Sequence, residues 1–318
     1  MTPYSPRSRG DTTAAADQRI LMARLVRHLT DRATELGIDT GAALKAAGLG
    51  TANWDDPRHT VAVRQLEALL DHLLHTSGEQ QLGLRIAEAA TPEAFGVVGY
   101  IRQACGTFGE FIEMCMRYEH LISSIGKTSL LHQPGRVLLC WEVVTEHPAF
   151  RRHATEYMLA ALASTRQLLP PEQRQCLLAV HFHHGPPATG ADLDMYRQLF
   201  QCPIRFDQPQ SALVLPREAL QYRFSSADVA LLQALERHAL HLADNEPTSN
   251  LVERARLSLH TLVLEGRASR EALADTLGIS MPTSASAPCS AGRELPDVAQ
   301  PRATGSGHRT AHGTGPAR

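Results

Sequence analysis

Apolar side chains return every three or four residues over much of the first third of this chain, the spacing that lines one face of a helix. Ile20, Leu21, Leu25 and Leu29 form the first such face, from Asp17 to a stop at Gly37. A short helix from about Gly41 to Gly48 follows, and a turn at Asp55-Asp56-Pro57 leads into Val61, Leu66, Leu69, Leu70 and Leu73. The segments 83–90 and 94–105 are apolar and marked by glycine. Phe108, Phe111, Ile112, Cys115, Ile122 and Ile125 then trace one face of a long helix.

The texture changes at Lys127. Ser129–His132 and Val137–Val144 read as two strands around a Pro134-Gly135 turn. Residues 150–169 return to helix, stopped by Pro170-Pro171. A short apolar strand spans 176–183, Met195–Phe200 lies in a helix, and Pro203–Phe206 with Ala212–Leu215 predicts a final hairpin. Ser225, Ser226 and Asp228 can cap a helix running to about Leu242. Helices around a few hairpin-joined strands predict an α+β fold, helix-rich with a small, mainly antiparallel sheet.

The polar, proline-bearing stretch 244–250 reads as a linker that separates the domain of residues 17–243 from a C-terminal segment. In that segment Val252, Ala255, Leu259, Leu262 and Val263 predict a helix that stops at Gly266. Ser269 caps a shorter one carrying Leu273, Ala274 and Leu277, and Gly278-Ile279-Ser280 makes a turn. Residues 251–281 thus form either a plain helical hairpin or a partial, all-α helix-turn-helix. In the second case Ala274 admits the close approach of a third helix and Gly278 takes the sharp turn. The third helix is what fails. From Pro282 to Arg318, Leu295 and Val298 are the only large aliphatic residues, Ser284 replaces an apolar position, and Pro288 would break a helix already begun. Residues 1–16 and 282–318 read as a disordered leader and tail.

Composition narrows the function classes. With 43% hydrophobic and 20% charged residues the chain reads as an ordinary globular protein, and a net charge of −2 means any nucleic-acid contact is local. No segment reads as a signal sequence or a membrane span, and six scattered cysteines form no close pair. A cytoplasmic location is the expectation. No nucleophile elbow, phosphate-cradling loop or paired acid–base carboxylates are recognisable, so the chain is read as no enzyme, with no catalytic residues and no cofactor. His181, His183 and His184 sit on or beside a strand with Asp192 and Asp194 nearby, but their spacing fits no metal signature, and no metal site is assigned.

From Asp17 to Met281 the sequence resembles AraC/XylS transcription regulators with an arabinose-binding type of N-terminal domain. The resemblance rests on Ala46-Ala47-Gly48-Leu49, Asp56-Pro57, Leu82-Gly83-Leu84-Arg85, Phe95-Gly96-Val97-Val98-Gly99-Tyr100, Arg117-Tyr118, the segment Phe200 to Phe206, and Ala272 to Met281. It implies a small-molecule effector sensed by residues 17–243, DNA as a partner, and a homodimer as a candidate assembly. Phe95, Tyr100, Phe108 and Tyr118 are candidates for lining the effector pocket, with plain core as the other reading. Family members continue past the turn with an arginine-rich recognition helix and a second helix-turn-helix, which this chain lacks. Residues 294–301 can be back-translated so that a one-base shift restores a family-like segment, and codon degeneracy makes such matches easy. A frameshift near Met281 is therefore an expectation that the nucleotide sequence tests. DNA binding is expected to be weak or absent. The alternative is a stand-alone ligand-binding or interaction module with no DNA output.

Overall fold

The computed structural model describes residues 20–54, 56, 59–244, 258, 259, 262, 267 and 269–277. The leader, the linker beyond Asp244, most of the helix expected over Val252–Val263, and everything from Gly278 lie outside the described residues.

Two short antiparallel strands open the fold, β1 (Ile20–Met22) and β2 (Thr60–Ala62), with Ile20 opposite Ala62. Each runs straight into a helix, α1 (Ala23–Glu35) and α3 (Val63–Ser77). Between them α2 (Thr40–Ala46) starts at Asp39, whose Oδ1 accepts the N–H groups of Gly41 at 3.0 Å and Ala42 at 3.3 Å. Periodicity assigns Ile20 and Leu21 to the first helix, and the structure corrects this. Three residues are too few for either period to show itself, and pairing decides: Met22 N–H donates to the Ile122 carbonyl at 2.9 Å and Ser124 N–H to that of Ile20 at 3.0 Å.

Next come α4 (Leu82–Ala87), α5 (Gly96–Ala104) and α6 (Phe108–Tyr118). The long helix expected from Phe108 to Ile125 ends early, at Tyr118. Its continuation is drawn elsewhere: the Glu119 carboxylate accepts the Thr128 N–H at 2.7 Å, and Ile122 is tied to β1.

Strands β3 (Gly126–Gln133) and β4 (Arg136–Val143) form the expected hairpin, with Gly135 at φ 72° in its turn. Beside them lie β7 (Ala212–Pro216), β5 (Ala179–His181) and β6 (Ile204–Arg205), in the order β3-β4-β7-β5-β6. The final hairpin does not form. Instead β6 pairs parallel with β5, and β7 inserts antiparallel between β4 and β5. The run Ala212–Leu215 is buried at every position, which suits a central strand and not the arm of an edge hairpin.

Helix α7 (Pro148–Ser164) crosses one sheet face, followed by α8 (Gly190–Phe200) and α9 (Val229–Asp244), whose first turn is capped by Asp228 Oδ1 accepting Leu231 N–H at 2.9 Å. Along β4, Val137, Leu139 and Trp141 face the main core, while Leu138 and Cys140 join a smaller cluster with Ala179, Ala212 and Val214. The fold is thus α+β, helix-rich with a small sheet. Among the described residues no helix is long and apolar enough to cross a membrane.

Candidate functional site

Helix α7 buries side chains nearly all round its axis, including His153, Glu156 and Tyr157, so it must meet partners on every side. On one side it meets α4 through glycine. A Cβ at Gly83 would stand 3.0 Å from both the Cα and the carbonyl carbon of His153, so only glycine lets the two backbones come this close. Gly126 plays the matching part in β3, where a Cβ would lie 2.8 Å from the indole Nε1 of Trp141.

These close approaches frame a cavity of about 140 Å³. Its wall is built by Leu25 and Leu29 of α1, Leu66, Leu69 and Leu73 of α3, Leu82 and Ile86 of α4, and Phe150, Ala154, Tyr157, Met158 and Leu162 of α7. Trp141 and Ile125 close the sheet side, and Cys115 comes from α6. The polar groups of the wall are few. Glu119 is engaged by Thr128, His153 Nδ1 faces the Gly83 N–H at 3.3 Å, and Ser123 and Thr128 complete the set, while Tyr157 lines the wall with its hydroxyl buried away from solvent.

On its far side α7 carries a buried polar cluster. Glu156, fully buried, accepts Arg152 Nε–H at 2.8 Å and the Tyr196 hydroxyl, with His153 Nδ1 at 3.3 Å and His184 Nε2 at 3.6 Å. Burial alone would raise the Glu156 carboxyl, but hydrogen bonds and charge from His153 and Arg152 outweigh it and hold the group below its ordinary value. A more polar groove of about 460 Å³ lies beside this cluster, lined among others by Arg151, Arg152, His183, His184 and Trp141.

The four aromatic candidates from the sequence all lie off the cavity wall. Phe95 is buried behind it, stacked on Tyr157 with ring centroids 6.2 Å apart. Tyr100 is 38% exposed and donates to Glu93 at 3.3 Å. Phe108 packs with Phe111 and Phe224, and Tyr118 is buried with the Arg117 guanidinium 5.8 Å from its ring centre. The structure does not bring them together. The wall is instead the set of leucines whose spacing announced α1 and α3, which nothing in the sequence separates from ordinary core.

The three histidines do not converge: His183 Nδ1 faces the Gln208 carbonyl at 2.9 Å, His184 turns to Glu156, and His181 ends β5. Among the described residues no group of His, Cys, Asp and Glu could hold a metal ion. Burial pushes the thiol of Cys105 up to about 12 and those of Cys140 and Cys202 up to about 11, so these are not poised nucleophiles. Of the helix-turn-helix residues, Ser269 Oγ accepts the Ala272 N–H at 3.0 Å and begins α10 (Arg270–Leu277). Ala274 is buried, with Leu273 and Leu277 half-buried; Gly278, Ile279 and Ser280 lie outside the described residues.

Over residues 37–224, more than half of the chain, the sequence matches the family model described as the arabinose-binding domain of AraC transcription regulators, N-terminal. It is 26% identical over 210 residues to the ornithine utilization regulator of Pseudomonas aeruginosa, covering 65% of this chain and only 60% of that relative's length. The crystal structure of transcriptional regulator CdpR from Pseudomonas aeruginosa is similar at 19% identity and a TM-score of 0.47, covering 68% of this chain and 69% of that one.

Proposed function

Because the chain belongs to the AraC family of transcription regulators that carry the arabinose-binding type of N-terminal domain, we propose that residues 17–243 sense a compact apolar molecule held in the cavity beside α7. The observation that carries this reading is the void itself. Protein cores are packed about as densely as organic crystals, so unfilled space of this size within a leucine core asks for an occupant. An engineered apolar cavity of about 150 Å³ in another protein stays dry and binds benzene. A sugar suits this wall poorly, since each hydroxyl buried without a partner costs about 1–3 kcal/mol.

Toluene tests the reading. It is expected to raise the melting temperature of the full chain, with a gain of about 2.7 kcal/mol at a hundredfold excess over Kd. Ala154→Leu, which places extra carbons in the void, is expected to abolish that shift. No toluene-dependent shift in the unaltered chain sinks the proposal.

Within this reading the effector works by favouring one of two arrangements of the sensing part and the DNA-directed part, joined by a linker at 244–250. Output through residues 251–281 is weak or absent, because a recognition helix needs an apolar back and the sequence from Pro282 supplies only Leu295 and Val298. In a mobility-shift experiment on DNA flanking its own gene, no specific retention is expected at physiological salt. Specific retention that survives competitor DNA overturns this half of the proposal.

A further inference from the structure

We propose that the ligand of the cavity carries a single amine on a compact apolar body, its ammonium held by Glu119 and the hydroxyls of Ser123 and Thr128. This rests on the cavity being the effector site.

Glu119, Ser123 and Thr128 all line the cavity, and backbone bonds gather them at one end of it. The Thr128 N–H donates to the Glu119 carboxylate at 2.7 Å, and the Ser123 N–H to the Glu119 carbonyl at 3.0 Å. Thr128 is 5% exposed, and its hydroxyl bonds to none of the described residues. Nor is that hydroxyl sealed among them, as the Tyr157 hydroxyl is, so the space it opens on is the cavity its residue lines. A buried hydroxyl in this state calls for an explanation, and a ligand group that meets it is one.

Charge decides which group that ligand presents. Glu119 is the wall's one carboxylate, and no lysine or arginine lines the cavity to offset it. His153, the other titratable side chain there besides Cys115 and Tyr157, turns its Nδ1 to the Gly83 N–H and to Glu156. Such a wall repels an anion and attracts a cation, more strongly in apolar surroundings than in water. A carboxylate offers about four lone-pair sites, so the bond from Thr128 orients Glu119 without exhausting it. An ammonium brings three donors and no acceptor, which suits one carboxylate and two hydroxyl oxygens. Taking it out of water is costly, and charge-assisted bonds to a carboxylate already held in place offset that cost. The apolar body meets the rest of the wall, among it Leu25, Leu66, Leu69 and Met158.

Benzylamine and ethylbenzene form a matched pair of probes, alike in shape and heavy-atom count, of which only the first is charged at neutral pH. By titration calorimetry the full chain is expected to bind benzylamine about tenfold more tightly than ethylbenzene, a difference within the worth of one hydrogen bond to a charged group. Glu119→Gln keeps the volume and an oxygen for the Thr128 N–H, and is expected to erase that preference with ethylbenzene affinity unchanged. Thr128→Val should fold, because it deletes a hydroxyl that bonds to none of the described residues. It is expected to weaken benzylamine binding about threefold and to leave ethylbenzene binding as it was. Ethylbenzene binding as tightly as benzylamine in the unaltered chain overturns the amine assignment and leaves the cavity reading standing. So does a benzylamine preference undiminished in either variant. If neither probe binds, both readings fall.

Discussion

Gly99→Ala is expected to destabilise the fold by about 3 kcal/mol, although a helix interior ordinarily gains about 1 kcal/mol from that exchange. The two effects have opposite signs, and the geometry says which wins. A Cβ at position 99 would stand 2.7 Å from the carbonyl carbon of Pro92 and 2.8 Å from its Cα, and nearer still to its oxygen. All three are backbone atoms of the turn Pro92–Phe95 that packs against α5, so no side chain can rotate out of the way. Either the turn moves or α5 does. Both carry wall or near-wall residues, Val98 on α5 and Phe95 behind Tyr157, so a shift also reshapes the cavity. Gly41→Ala is the control: its Cβ would meet only Asp39 Oδ1, at an ordinary 3.5 Å, and a neutral or slightly stabilising effect is expected. Urea denaturation of the two variants measures both. Should Gly99→Ala come out as harmless as Gly41→Ala, the close approach of α5 to Pro92 is wrong.

The same kind of contact marks the boundary between what the sequence discloses and what it hides. Local rules are legible. The β3–β4 hairpin follows from Pro134-Gly135 between two apolar runs, and the start of α9 from the capping oxygen of Asp228. The helical face of α3 is plain in Leu66, Leu69 and Leu73, although Val61, counted with that face, belongs to β2. Pairing between distant segments is not legible. Nothing in Ile20–Met22 says strand until Thr60–Ala62 lies beside it, and nothing in Ile204–Arg205 says parallel. The cavity is less visible still, because a void belongs to the way helices meet and not to any one of them. Large aromatics are the natural pocket candidates, yet Phe108 and Tyr118 are filled-in core, while the space is bounded by leucines that look like core. Gly83 stands out as part of a family-like string, but its use, letting α4 lie against His153, emerges only in three dimensions. Of the polar cluster, only the same-helix groups Arg152 and His153, four and three residues before Glu156, can be read from spacing; Tyr196 arrives from 40 residues away.

That cluster supplies the other large effect. Glu156→Ala is expected to cost about 3–5 kcal/mol, because it removes one partner of a buried ion pair and leaves the rest without an anion. Arg152 Nε and the Tyr196 hydroxyl both donate to this carboxylate, and His153 and His184 lie within 3.6 Å of it. Lost side-chain volume also contributes to such a cost, and Glu156→Gln separates the two causes. Glutamine keeps the volume and an accepting oxygen but not the charge, so a smaller loss is expected, carried by the broken pairing with Arg152. The pH dependence separates them further. Glu156 is held below its ordinary value of 4.5 in the folded chain. Its contribution is therefore complete above that value and is lost as pH falls through the lower folded one, since the unfolded chain takes up the proton first. His184, like His28 and His181, is held below 6.5 chiefly by burial, so an earlier loss of stability begins as pH drops under 6.5. Urea midpoints measured from pH 8 to pH 3.5 are expected to fall in both windows for the unaltered chain. Glu156→Gln should keep the upper step and flatten the lower. Equal slopes below 4.5 in the two proteins are incompatible with a charged Glu156 at the centre of the cluster, and a flat upper window is incompatible with neutral, half-buried His184 beside it.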